Sequence, residues 1–318
     1  MIPLFFSGIL HERNEDLMNR KIALVLSGGG ARGIAHIGVI EELEKRGYQI
    51  TSIAGTSMGA LVGGMYAAGK LEEYRKWMCS LDKMKVFSLV DFTFSADGIV
   101  KGDKVLNAIK EFVPDTNIED LKITYSATAA DIENHKEIVY RSGSLYEAIR
   151  ASIAIPMVIT PVIKDNSIIV DGGVVNNLPI SNVKRSKGDL LVAVYVNANV
   201  PPVKLKVSKK EEKEKKSVYL QKLNEFYEQL NIISPKPRKE KLGYFTLIDK
   251  TIVSASLQLV QLSIEKNPPD ILINISRDTC GTYDFYRAEE LVEIGRQSAI
   301  KTLDEFEKEI LIQVETTT

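Results

Sequence analysis

The chain reads as an α/β protein, a three-layer sandwich whose mainly parallel central sheet is covered by helices on both faces. Three observations predict this. The runs Lys21–Ser27 and Leu190–Val196 are short and continuously apolar, as strands buried on both faces are. Apolar residues then recur near helical spacing at Ile34, Ile37, Val39, Ile40 and Leu43. Between Lys21 and Ala68 the pattern alternates strand, helix, strand, helix.

Each element follows in order. Lys21–Ser27 is a strand ending in Gly28, Gly29 and Gly30, and Ala31 to Arg46 is a helix closed by Gly47 as its C-cap. Ile50–Ala54 is the second strand. It enters a sharp turn at Gly55 to Gly59 and then a small-residue helix to about Ala68. Leu71–Leu81 and Gly102–Phe112 are helical, Ile123–Asp131 and Glu137–Arg141 are strands, and Ser144–Ala151 is a short helix with a serine cap. Ile168–Val170 is a strand that delivers Asp171, and Leu190–Val196 is another. After Pro201 and Pro202 the composition changes: Lys204–Lys216 holds seven lysines and three glutamates. That run is a solvated linker or the start of a polar helix. Its alternative reading is a cluster drawn to anionic headgroups at ~1 kcal/mol per lysine. A second break falls at Ser234 to Pro237. Phe245–Glu265 is then a long helix, Ile271–Ile275 the last strand and Ala288–Glu309 an amphipathic helix. The plan is a flexible leader at 1–20, a core carrying the site at 21–199, a charged linker or insert at 200–242, and residues 243–318 completing the same domain.

Composition narrows the function. The 318 residues are 44% hydrophobic and 26% charged, which is globular rather than disordered. A formal net charge of -1 supplies no field to attract nucleic acid and no acidic surplus for a basic partner. Cys79 and Cys280 show no Cys-x-x-Cys spacing and no disulfide framework, which fits a reducing, cytoplasmic setting. Both are expected as buried apolar filler. Ile2–Phe6 is apolar, but no positive residue precedes it and charged residues follow, so a signal peptide is not expected. Ile53–Gly69 is short for a membrane span and reads as a buried helix.

The chemistry begins at Gly55-Thr56-Ser57-Met58-Gly59. A serine hydroxyl is a weak nucleophile unless exposed, oriented and near a base, and a strand-to-helix turn with flanking glycines provides the first two. Gly28-Gly29-Gly30-Ala31-Arg32-Gly33 follows a strand and opens a helix, so its amides can crowd an oxyanion. It also matches the dinucleotide pattern Gly-x-Gly-x-x-Gly. That reading needs an acidic residue at the end of the second strand, where Ala54-Gly55 stands instead. The base is not an obvious histidine. His11 lies in the leader, His135 in a polar connection, and His36 inside the first helix, where it is expected packed or hydrogen-bonded under the glycine loop. Asp171 ends a hydrophobic strand and precedes Gly172 and Gly173, so its carboxylate can reach Ser57 as general base or merely cap the turn.

These three motifs, in this order, resemble the signature of patatin-like phospholipases. Arg150–Pro156 and Asp284–Ala288 are also similar to blocks of that family, and the resemblance runs from about Lys21 to Phe306. It implies a patatin-like fold and a Ser57–Asp171 dyad without histidine. It implies an oxyanion hole formed by the Gly28, Gly29, Gly30, Arg32, Gly33 loop, with Gly29, Gly30 and the neighbourhood of Arg32 supplying amides. Gly55 and Gly59 would shape the nucleophile turn, and Gly172 and Gly173 the base loop. Arg150 would orient the site, bind a headgroup or serve the structure. Substrates would be acyl esters, usually phospholipids, lysophospholipids or neutral lipids, with no metal and no organic cofactor and with peripheral membrane contact. The competing expectations are an acyltransferase, which calls for a histidine base, and a non-catalytic regulatory or scaffold protein on the same fold.

Overall fold

The computed structural model describes residues 20–89, 92–95, 98–205 and 244–315. The leader up to residue 19, with His11, and the lysine-rich run beyond Leu205 lie outside the described residues. Ten strands are described: β1 (Lys21–Leu26), β2 (Gln49–Thr56), β3 (Phe92–Ser95), β4 (Gly98–Val100), β5 (Thr124–Asp131), β6 (Lys136–Tyr140), β7 (Val162–Lys164), β8 (Ser167–Asp171), β9 (Leu190–Ala198) and β10 (Ile271–Ser276). The helices are α1 (Ala35–Lys45), α2 (Met58–Ala67), α3 (Leu71–Cys79), α4 (Lys83–Ser88), α5 (Asp103–Lys110), α6 (Leu145–Ser152), α7 (Tyr244–Lys266) and α8 (Ala288–Glu315).

An eight-stranded sheet runs β10-β9-β1-β2-β5, with all of these neighbours parallel. Only Lys21 of β1 is exposed; Ile22 to Leu26 are fully buried, which requires cover on both faces. On one face α2 lies over β1 and β2, where a Cβ built at Gly63 would meet Ile53 and Leu26 side chains. Helices α1 and α8 pack together on that side. On the other face Ala23, Val25, Ala193 and Tyr195 pack against Leu178, Ile180 and Val260 of α7. Each fully buried valine, leucine or isoleucine side chain among these contributes about 1.5–3 kcal/mol. The layering is the predicted α/β sandwich.

Beyond β5 the direction reverses. β5 pairs antiparallel with β6 over Ala127–Asp131 and antiparallel with β8 over Ala129–Asp131, and β7 hairpins onto β8. A strand has two edges, and β6 occupies one of them over Ala127–Asp131. β2, paired to β5 at Ser52–Thr56, and β8 therefore share the other edge, end to end. Because β8 runs against β5, its carboxyl end at Asp171 meets the carboxyl end of β2 at Thr56.

Local signals hold in detail. Gly47, at φ +82, receives the end of α1: its amide donates to the Glu44 carbonyl and that of Tyr48 to Leu43, closing the helix as a glycine C-cap. The Ser144 hydroxyl caps α6 by accepting from the Glu147 amide at 3.1 Å. The predicted Ala31 helix begins instead as a tight 3-10 turn at Gly30–Ile34 before α1. Helix α4, the β3–β4 hairpin and β7 have no counterpart in the sequence reading. All are short, and none spans enough residues to show a period.

Among the described residues two compact units are distinguished, one running up to Val203 and resuming at Ser256, the other between them. The described part of the second consists of Lys204, Leu205 and the first turns of α7. No helix among the described residues is long and apolar enough to cross a membrane.

Candidate active site

The meeting of β2 and β8 brings Ser57 and Asp171 together. Ser57 stands between β2 and α2 with φ 54 and ψ -123, a conformation that side-chain-bearing residues avoid and that persists only where the surroundings impose it. The turn closes this tightly because Gly55 and Gly59 touch: a Cβ on Gly55 would lie 2.4 Å from the Gly59 carbonyl oxygen, and one on Gly59 would lie 2.2 Å from that of Leu26. The Thr56 hydroxyl donates to the Asn176 carbonyl at 2.8 Å, tying the end of β2 to the loop after Asp171.

The Asp171 carboxylate accepts a hydrogen bond from the Gly173 amide at 2.7 Å, and the Ser57 hydroxyl lies near enough to favour its ionised form. Ser57 and Asp171 are each only 6% exposed. Burial penalises the ionised carboxylate and pushes its pKa up to about 6, against the lowering effect of the Ser57 hydroxyl and the Gly173 amide. A carboxylate in this state is ionised at neutral pH yet basic enough to take a proton from a neighbouring hydroxyl. Gly172 is packed against β5, where a Cβ would lie 2.4 Å from the Thr128 carbonyl oxygen.

The glycine loop lies beside Ser57: a Cβ built at Gly28 would be 3.1 Å from the Ser57 Cβ. Asn177 and Asn197 anchor the loop. The Gly28 carbonyl accepts from Asn197 Nδ2 at 2.8 Å and Asn177 Nδ2 at 3.4 Å, and the Gly28 amide donates to the Asn177 carbonyl. The Ala31 amide donates to the Thr282 carbonyl. Among the described residues, Gly29 and Gly30 donate no amide outside their own turn, so theirs are the loop amides still open to a ligand oxygen. Gly33 packs onto Met58 at the start of α2. The Arg32 guanidinium donates from Nε to Asn197 Oδ1 at 2.9 Å and from Nη1 to the Cys280 carbonyl at 3.0 Å. It straps the loop to the carboxyl end of β9.

A family model described as patatin-like phospholipase matches residues 24–184. The chain belongs to the patatin-like phospholipase family. An uncharacterised NTE-family protein of Mycobacterium bovis is 35% identical to it, covering 90% of this chain and 92% of that one. A lysophospholipase NTE1 of Debaryomyces hansenii is 28% identical over 92% of this chain, which spans only 18% of that much longer protein.

In this patatin-like chain the remaining candidates fall away from Ser57. His36 is fully buried under the glycine loop, as expected. Its Nε2 lies 2.8 Å from the Ser27 carbonyl, which can only accept, so Nε2 carries the proton. Burial pushes this imidazole down to about 4. His135 is an exposed turn residue at φ 52. Arg150 serves the structure, donating to the Thr160 carbonyl and hydroxyl and pairing with Asp103. Cys280 is buried as expected, and burial pushes its thiol up to about 11. Cys79 is only partly buried, a correction to its reading as core filler, because α3 presents it near the surface of the helix layer.

Sequence reasoning did not single out Asn177, Asn197, Thr128 or Ser152. Asn197 carries a faint signal, an amide at the end of an otherwise apolar strand. Ser152 had none beyond its place in the block Arg150–Pro156.

Proposed function

We propose that the protein is a serine acyl-ester hydrolase acting on lipids, of phospholipase A or lysophospholipase type. The observation that carries this reading is the strained Ser57 set beside the buried Asp171 carboxylate with no histidine between them. The family match and the lysophospholipase relatives support a lipid ester as substrate.

Ser57 Oγ attacks the ester carbonyl as Asp171 accepts its proton. The amides of Gly29 and Gly30 receive the oxygen on which negative charge develops, assisted by the N-terminal end of α2. The tetrahedral intermediate collapses, the C–O bond to the alcohol breaks, and Asp171 returns the proton to the leaving oxygen. A water molecule then gives its proton to Asp171 as it attacks the acyl-enzyme, the bond to Ser57 Oγ breaks, and Asp171 returns the proton to Oγ as the fatty acid leaves.

The test is hydrolysis of a short-chain para-nitrophenyl ester, followed by lysophospholipid, diacyl phospholipid and neutral lipid substrates. Ser57→Ala and Asp171→Asn are expected to lose on the order of 10⁴-fold or more in kcat/KM, while His135→Ala retains wild-type activity. An Asp171→Asn variant of full activity would remove Asp171 as the base. A folded wild type inert on every ester would favour a regulatory or scaffold role on this fold.

A further inference from the structure

The geometry points to Ser152 as a positioning residue that couples the two halves of the dyad. The inference rests on the reading of Ser57 and Asp171 given above. Ser152 ends α6, is fully buried and touches no solvent. The Ser57 backbone amide donates to its Oγ at 2.8 Å, and its own hydroxyl donates to the Thr128 carbonyl at 2.6 Å. Both directions are forced, because an amide nitrogen can only donate and a carbonyl can only accept. The single hydroxyl proton is therefore committed, so Ser152 can serve neither as a second nucleophile nor as a base.

The position of this hydroxyl sets its role. At φ 54 the Ser57 amide is turned into the protein, where it finds no strand or helix partner. Ser152 satisfies it and thereby holds the unfavourable backbone conformation that aims Oγ at Asp171. Thr128 is the last residue of β5 paired with β2, and its carbonyl is the group against which Gly172 packs. One hydroxyl thus links the Ser57 turn to the strand that places Asp171. The Ser57 amide is also withdrawn from any part in holding the oxyanion, which leaves that task to Gly29, Gly30 and α2.

The experiment compares wild type, Ser57→Ala, Ser152→Ala, Ser152→Cys and Ser152→Thr by ester kcat and KM, by the rate of fluorophosphonate labelling at Ser57, and by thermal melting. Ser152→Ala is expected to lose on the order of 10- to 100-fold in kcat and in labelling rate with KM within about twofold of wild type, as small displacements of a reacting atom do. Ser152→Thr, which keeps the hydroxyl, is expected to restore most of the loss. A folded Ser152→Ala with wild-type kcat and labelling rate overturns the inference, as does a loss that Thr fails to restore although that variant melts like wild type. If Ser152→Ala does not fold, Ser152→Cys decides. Its thiol is a weak acceptor of similar size, so a reduced labelling rate supports the inference and an unchanged rate overturns it. A wild type that neither cleaves esters nor labels at Ser57 overturns the function reading itself, and this inference with it.

Discussion

Asp171 is a buried carboxyl whose ionisation the fold resists. Its partners are one hydroxyl and one amide, and burial outweighs both, leaving its pKa at about 6. As the base, it must be ionised. kcat/KM for a neutral ester is therefore expected to rise about tenfold per pH unit below 6 and to level off above it. A histidine base would give a similar midpoint, and a cosolvent separates the two. Ionising a carboxyl creates charge, so a lower dielectric raises its apparent pKa, whereas ionising an imidazolium only relocates charge. Profiles in water and in dilute dioxane check this, and a midpoint that stays put or falls in dioxane argues against Asp171. The approach of Ser57 and Asp171 was legible in the sequence because each stands with glycines at a strand end. Ser152 was not, because a serine on a helix between apolar residues has no local mark of what its hydroxyl meets.

The strands and helices were mostly legible, and the direction of β8 was not. Ile168–Val170 reads as a buried strand whichever way it runs. The informative signal was next to it, since Asp165 and Asn166 adopt φ 47 and 60 between Val162–Lys164 and Ser167–Asp171. That is a two-residue hairpin with both central residues left-handed, and Asp-Asn is a composition that favours it. The hairpin turns β8 antiparallel, so Asp171 approaches Ser57 head-on from beyond the end of β2, not from a neighbouring parallel strand. A different element contact governs the glycine loop. α1 and α8 cross in backbone contact: a Cβ on Gly38 would lie 1.8 Å from the Val292 carbonyl oxygen, and one on Gly295 would lie 1.9 Å from that of Ala35. Ala35 begins α1 directly after the loop turn. Gly295→Ala is accordingly expected to destabilise by about 1–3 kcal/mol. It should also lower ester kcat, although residue 295 touches neither Ser57 nor Asp171. Lys301→Ala, on the exposed side of the same helix, should stay within about 0.5 kcal/mol of wild type. Urea melts paired with ester kinetics test both, and a Gly295→Ala protein as stable as wild type would mean the helices can part without consequence.

At the scale of the whole molecule, two buried groups pull stability in opposite directions over nearly the same pH range. Asp171 titrates near 6 when folded and near ~3.9 when unfolded. The folded state holds that proton more tightly, so its contribution is fully present below ~3.9 and is lost as pH rises through 6. His36 titrates near 4 when folded and near ~6.5 when unfolded. Its contribution is fully present above ~6.5 and is lost as pH falls through 4. Each amounts to roughly 3 kcal/mol at about 1.4 kcal/mol per pH unit, and between pH 4 and 6.5 they largely offset. Replacing Asp171 with Asn removes one side of this balance. The variant should be more stable than wild type at pH 7.5 by up to about 3 kcal/mol, with the advantage shrinking to nothing near pH 4. Its stability should then fall with acid more steeply than that of wild type, because the His36 contribution is no longer masked. Urea melts of both proteins at pH 4, 5, 6 and 7.5 give the comparison. A difference that is the same at every pH would mean that Asp171 ionises alike in both states, and that the ionised carboxylate at Ser57 carries no penalty in stability.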